Sequence, residues 1–174
     1  MTGVAIVIFW ASAAALAYTP VGYLLCLAVL SRLIRRPVKR GPIRPMVSII
    51  VPVHNGAEVV DLKIANLRAL DYPSDLLEII FVDDCSTDDT WDRIRNVKRI
   101  RLDRRQGKSA ALNAGLEAAT GEIIAFTDVG VMLEPDSLKV AVERFVDPKV
   151  GCVSSEDVVI SEGGVGEGEG FYTR

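Results

Sequence analysis

The sequence predicts an α/β protein in which an N-terminal transmembrane helix precedes a Rossmann-like, mostly parallel sheet with flanking helices. Three observations carry this. No charged side chain occurs from Met1 to Ser31. Beyond that point short apolar runs alternate with stretches of helical spacing, the pattern of strand–helix–strand units with right-handed crossovers. Acidic residues then recur just after the apolar runs, at Asp83, Asp84 and Asp128, at the strand ends where open α/β sheets bind ligands.

The 174 residues suffice for one sizeable core plus a membrane segment. Residues 1–31 form the membrane segment. Val4 to Leu30 is almost wholly apolar, longer than the roughly 20 residues a spanning helix needs. Its Val, Ile, Leu and Phe side chains favour insertion by about −4 to −7 kcal/mol at most. Pro20 sits inside the run, and transmembrane helices tolerate such a kink. A cleaved signal peptide would carry a basic leader and a shorter apolar core, and no Lys or Arg precedes this run. A buried helix would show a polar face, and Val4–Leu30 has none.

Residues 32–45 read as a basic juxtamembrane linker, with Arg32, Arg35, Arg36, Lys39, Arg40 and Arg44 among Pro37, Gly41, Pro42 and Pro45. Positive charge beside a span stays on the cytoplasmic side. This predicts an N-terminus outside the cell (plasma or inner) membrane and a cytoplasmic soluble domain. Anionic membrane lipids add about 1 kcal/mol per basic residue. A net charge of −3 over the chain argues against a nucleic-acid binder.

Residues 46–160 read as the folded domain. Met46–Val53 is a nearly continuous apolar run, as in a strand buried on both faces. His54-Asn55-Gly56 is a turn signal, and Ala57 to Leu70 follows with Val60, Ile64 and Leu67 on one helical face. After the break at Tyr72-Pro73-Ser74, Leu77–Val82 supplies a second strand ending at Asp83-Asp84. Ser86 or Thr87 is placed to cap a helix from about Asp88, with Trp91 and Ile94 turned inward. Val97–Leu102 reads as a third strand and Gln106 to Thr120 as a helix stopped by Gly121. Glu122–Thr127 reads as a fourth strand delivering Asp128. Pro135 and Asp136 open a helix to about Phe145, and Val150–Ser154 reads as a fifth strand. Residues 161–174, rich in Gly and Glu, read as a flexible tail.

Several chemistries are poorly served. The three cysteines, Cys26, Cys85 and Cys152, lack metal-ligand spacing. His54 is the sole histidine, which leaves little for a zinc site or a Ser-His-Asp triad. Gly107-Lys108-Ser109 resembles the end of a P-loop, but Leu102 stands where that motif requires glycine. The glycines from Gly163 to Gly170 never give G-x-G-x-x-G.

Four segments occur instead in a telling order: V-S-I-I-V-P-V-H-N (Val47–Asn55), E-I-I-F-V-D-D-C-S-T-D-D-T (Glu78–Thr90), G-K-S-A-A-L-N-A-G-L (Gly107–Leu116) and G-E-I-I-A-F-T-D (Gly121–Asp128). The series resembles the N-terminal, nucleotide-binding half of family-2 glycosyltransferases of the GT-A fold, from about Val47 to Arg174. With its preceding span it is similar to the membrane-bound polysaccharide-synthase branch.

The resemblance implies a UDP-sugar donor, a polysaccharide or lipid acceptor, Mg2+ or Mn2+ as cofactor, and synthase subunits as possible partners. It places Pro52, His54 and Asn55 at the nucleoside, with Gly56 where an acidic residue is usual. Asp84 matches the aspartate that accepts from the uracil edge, a role suited to an acceptor-only carboxylate, with Asp83 orienting the loop. The competing role for both is capping the loop and helix through Asp-type turns. Lys108, opening a helix, would face an anionic diphosphate, and Asn113 would point from the same helix. A solvated lysine and a packing asparagine are the alternatives.

Asp128 begins the family's aspartate-x-aspartate element, which holds ribose and the divalent cation, and is the expected metal ligand. The second carboxylate is absent, because the element reads Asp128-Val129-Gly130. Ser155-Glu156-Asp157 mimics the motif of the family's catalytic base, yet Asp157 follows Asp128 too closely for that role, so no secure base is assigned. The later Q-x-x-R-W element has no counterpart. The resemblance therefore predicts a C-terminally truncated inverting hexosyltransferase, or alternatively an inactive nucleotide-sugar-binding membrane module or synthase subunit.

Overall fold

The computed structural model describes residues 2–34, 37–155, 160–161 and 164–165. It comprises two units, Met1–Val38 and Lys39–Arg174. Arg35, Arg36, Asp157 and most of the tail lie outside the described residues.

The first unit is helical from Thr2 to Leu33: α1 (Thr2–Ala17), a π-type segment (Tyr18–Gly22) and α2 (Tyr23–Leu33). The wider turn coincides with Pro20, whose ring cannot donate to the helical ladder. The Thr19 hydroxyl donates to the Ala15 carbonyl at 3.0 Å and satisfies one freed acceptor. The large apolar side chains, including Phe9, Trp10, Leu16 and Leu25, are exposed. The apolar stretch Gly3–Leu33 has the length and composition of a membrane span.

The second unit is built on a four-stranded parallel sheet in the order β3-β2-β1-β4. The strands are β1 (Val47–Val53), β2 (Leu77–Asp83), β3 (Lys98–Arg101) and β4 (Ile123–Phe126). Their connections carry α3 (Val60–Arg68), α4 (Thr90–Arg93) and α5 (Lys108–Ala118). After β4 comes α6 (Ser137–Val142), continued by a 3-10 turn over Glu143–Val146. Because β2 and β4 flank β1 on opposite sides, the strand order reverses at β1, and loops splay apart there to leave a crevice.

Strand alternation assigns β1 to two cores. Val47, Ile49, Val51 and Val53 face α3 and α6, packing with Val60, Ile64, Leu67, Leu138 and Val142. Ile50 faces the other way, with Ile80, Val82 and Ala111 of α5. Burying each large aliphatic side chain contributes about 1.5–3 kcal/mol. Gly115 lets α5 approach closely, because a Cβ there would collide with the side chain of Ile50.

Four expectations are corrected. The helix after β2 is one turn, Thr90–Arg93, and neither Ser86 nor Thr87 caps it. The Ser86 hydroxyl is taken by Asp83, and the Thr90 amide donates to Asp88 Oδ1 at 3.1 Å instead. Ile94 is buried as expected, but Trp91 is only half-buried, with the Arg99 guanidinium 4.1 Å from its ring centroid. Val150–Ser154 is irregular rather than a strand. A two-residue antiparallel ladder follows, β5 (Ile160–Ser161) with β6 (Gly164–Val165), across the expected start of the tail.

Candidate nucleotide-sugar cleft

The crevice opens at the carboxyl ends of β1, β2 and β4, with a volume of about 370 Å3. Pro52 and His54 line it from the end of β1, Asp84 from the end of β2, Lys108 from the start of α5, and Asp128 from the end of β4. Five of the residues singled out from sequence thus meet in one cleft.

Asp84 forms its floor. Although nearly buried (4% exposed), its carboxylate is well partnered: Oδ1 accepts from the Gln106 amide at 2.7 Å and Oδ2 from the Gly107 amide at 2.8 Å. Asp84 therefore ties β2 to the chain entering α5. Gly107 adopts φ +89°, a conformation that suits glycine and turns its amide toward Asp84. An ionised carboxylate has about four acceptor sites, so two backbone donors leave capacity for a ligand.

Asp83 faces inward, away from the cleft lining. It is fully buried beneath the loop, where Oδ1 accepts from the amide (3.0 Å) and hydroxyl of Ser86. Arg101 Nε stands 3.3 Å from Oδ2. Asn55 also faces its neighbours rather than the cleft. Its Oδ1 accepts from the Thr87 amide at 2.9 Å, and its own amide donates to Ser86 Oγ at 2.9 Å. The His54 ring bonds to the Asp84 carbonyl at 2.8 Å; the carbonyl only accepts, so Nδ1 carries the proton. Asn113 is exposed on α5 and is not part of the cleft lining. Asp157 lies outside the described residues.

Lys108 and Asp128 face each other across the opening, Nζ to Oδ1 2.6 Å. Both are more than half exposed, so the pair contributes little to stability. Arg105 adds a further cation to the lining. Beneath Asp128 lies the buried Lys63, whose ammonium donates to Thr127 Oγ1 at 2.9 Å and to the Val131 carbonyl. Burial lowers the Lys63 pKa to about 8, while the Asp128 carboxylate works in the opposite direction. Neither Arg105 nor Lys63 was singled out from sequence. Arg105 was legible as the second of two arginines just ahead of a helix start, whereas Lys63 left no signal.

Among the described residues no three His, Cys, Asp or Glu side chains cluster as a metal cage. Among the described residues lining the cleft, Asp128 alone presents an exposed carboxylate. Gly130 offers no ligand, and the space where its side chain would stand is open, with nothing within 4 Å. The donor set fits a hard dication at one oxygen, as a partial site and not an enclosed one.

The sequence matches the glycosyl transferase family 2 model over residues 48–167. The chain belongs to glycosyltransferase family 2. It is 32% identical over 140 residues to a beta-monoglucosyldiacylglycerol synthase of Nostoc sp., covering 75% of this chain and 29% of that protein. Among solved structures, the mannosyltransferase PcManGT from Pyrobaculum calidifontis, in complex with GDP-Man and Mn2+, superposes with a TM-score of 0.72. The two are 35% identical, with coverage of 83% of this chain and 47% of that one. TarS residues 1–349 from S. aureus, in complex with UDP-GlcNAc, give a TM-score of 0.53 at 27% identity, covering 69% of this chain and 39% of that one. The chain thus spans less than half the length of each of these relatives.

Proposed function

We propose that this chain is a membrane-anchored family-2 glycosyltransferase whose cleft binds a UDP-sugar for transfer to a polysaccharide or lipid acceptor. The observation that carries the reading is the convergence of Asp84, Lys108 and Asp128 on one cleft at the sheet's switch point. Asp84, holding the start of α5, offers its remaining acceptor capacity to the imide N–H of the base. Lys108 and Arg105 supply positive charge for a diphosphate, and α5, which no side chain caps, presents its amino end beside them. A charge-assisted contact of this kind contributes about 1.5–3 kcal/mol.

Asp128 would hold Mg2+ or Mn2+ through one oxygen, with the diphosphate supplying further donors. When bound, the cation offsets the negative charge that grows on the departing nucleotide. Lys108 and Arg105 hold the diphosphate, and the cleft walls orient the sugar. Uracil is preferred over guanine on the sequence resemblance, and related structures hold both UDP-GlcNAc and GDP-Man. The apolar Gly3–Leu33 helix supports anchoring. The basic residues after it support a cytoplasmic domain, and anionic lipids and other synthase subunits are its expected neighbours.

Gly130 favours a second reading, a nucleotide-sugar-binding membrane module without transfer activity. One experiment separates the two. The chain purified in detergent is titrated with UDP, GDP and their sugars with and without Mn2+, then incubated with lipid or oligosaccharide acceptors while free nucleotide is measured. Acceptor-dependent release supports the transferase, and binding without release supports the module. Absence of binding by every nucleotide refutes both.

A further inference from the structure

Lys63 is the largest fully buried side chain of the described residues, set on the same face of α3 as Val60, Ile64 and Leu67. An ammonium is costly there, because an apolar side chain of similar length would pack without desolvating a charge. Its placement gives that cost an outlet. Nζ donates to Thr127 Oγ1 and to the Val131 carbonyl, the residues flanking Asp128-Val129-Gly130. One turn further along α3, Asn66 grips the next stretch, with Nδ2 donating to the Leu133 carbonyl at 2.8 Å and Oδ1 accepting from the Leu133 amide at 2.9 Å. Backbone bonds at the two ends of the tripeptide are few: Thr127 N donates to the Ile50 carbonyl and Val131 N to the Asp128 carbonyl, both at 3.2 Å, the upper end of the ordinary range.

We propose that Lys63 is a positioning residue, which clamps both ends of the Asp128-Val129-Gly130 segment from inside the fold and so fixes the Asp128 carboxylate for the donor's diphosphate and its cation. It touches neither and acts only through the loop. This rests on reading the cleft as a nucleotide-sugar site. The clamp matters more here because Gly130 leaves Asp128 without a second carboxylate to share the ligand's placement. A lone carboxylate on a loose loop would lose most of its binding contribution to ordering.

The test compares the wild-type chain in detergent with Lys63→Met and Thr127→Val, using thermal unfolding, hydrogen exchange without ligand, and UDP calorimetry with and without Mn2+. For Lys63→Met, exchange at Val129–Val131 is expected to accelerate about tenfold, with β1 unchanged and the melting temperature equal or higher. Metal-free UDP affinity should stay within about twofold, while the gain in affinity on adding Mn2+ shrinks about fivefold or more. Thr127→Val should show the same pattern, smaller. Unchanged exchange at Val129–Val131 overturns the proposal, as does a general loosening of the sheet with a lower melting temperature. Should Lys63→Met fail to fold, Thr127→Val decides by the same exchange criterion. Should wild type bind no nucleotide, the functional reading falls while the exchange result still decides Lys63.

Discussion

Asp84 holds the Gly107 amide at 2.8 Å, so the carboxylate that closes the cleft floor also anchors the entry to α5. Asp84→Ala removes two charge-assisted bonds to backbone and leaves the Gln106 and Gly107 amides unpaired. A loss of about 2–4 kcal/mol in folding stability is expected, with UDP affinity down about tenfold or more. Denaturant unfolding and calorimetry check the two effects. Unchanged UDP affinity in a folded variant removes Asp84 from the donor site.

Gly130→Asp tests the missing second carboxylate. The position is exposed and nothing lies within 4 Å of the added Cβ, so the substitution introduces a hard oxygen donor without a clash. Mn2+ affinity in the presence of UDP should rise about fivefold to tenfold, read by manganese electron paramagnetic resonance. No gain would mean that Asp128 is not where the cation binds.

Cys85 takes φ +57° in the turn after β2, a left-handed conformation that costs a side chain about 1–2 kcal/mol. Cys85→Gly should therefore stabilise the fold by about 1 kcal/mol, offset in part by the added freedom of the unfolded chain. A rise in the denaturant midpoint at unchanged slope is the expected result.

Glu78 sets an acid limit. Burial works against its ionisation, yet bonds from Lys98, Ser48 and Thr120 outweigh it and bring the pKa down to about 2. The stability it adds is full above the unfolded pKa of 4.5 and is lost as pH falls toward 2. Glu78→Gln should lower stability at neutral pH by about 1.5–3 kcal/mol. It should also flatten the loss between pH 4.5 and 2, as urea unfolding across that range would report.

The four parallel strands and the meeting of Asp84, Lys108 and Asp128 were legible because strand ends and helix starts are local signals. Their partners in the cleft follow from topology alone. Lys63 was hidden for the opposite reason. A lysine at helical spacing belongs by default in solvent, and its acceptors lie 64 and 68 positions away in the chain. Capping by Ser86 failed through competition, since Asp83 claims the same hydroxyl. Val150–Ser154 has a strand's composition, but no described residue pairs with it, and an isolated extended segment gains no ladder.

Gly115 couples the seating of α5 to the core, away from the cleft. Two helical turns separate it from Lys108, and its missing side chain sets how closely α5 lies on Ile50. A methyl group added there would press on Ile50 and Val82, so either those side chains or α5 would have to give. The seat of the helix that carries Lys108 is thus tied to an apolar contact in the core, out of reach of the cleft mouth.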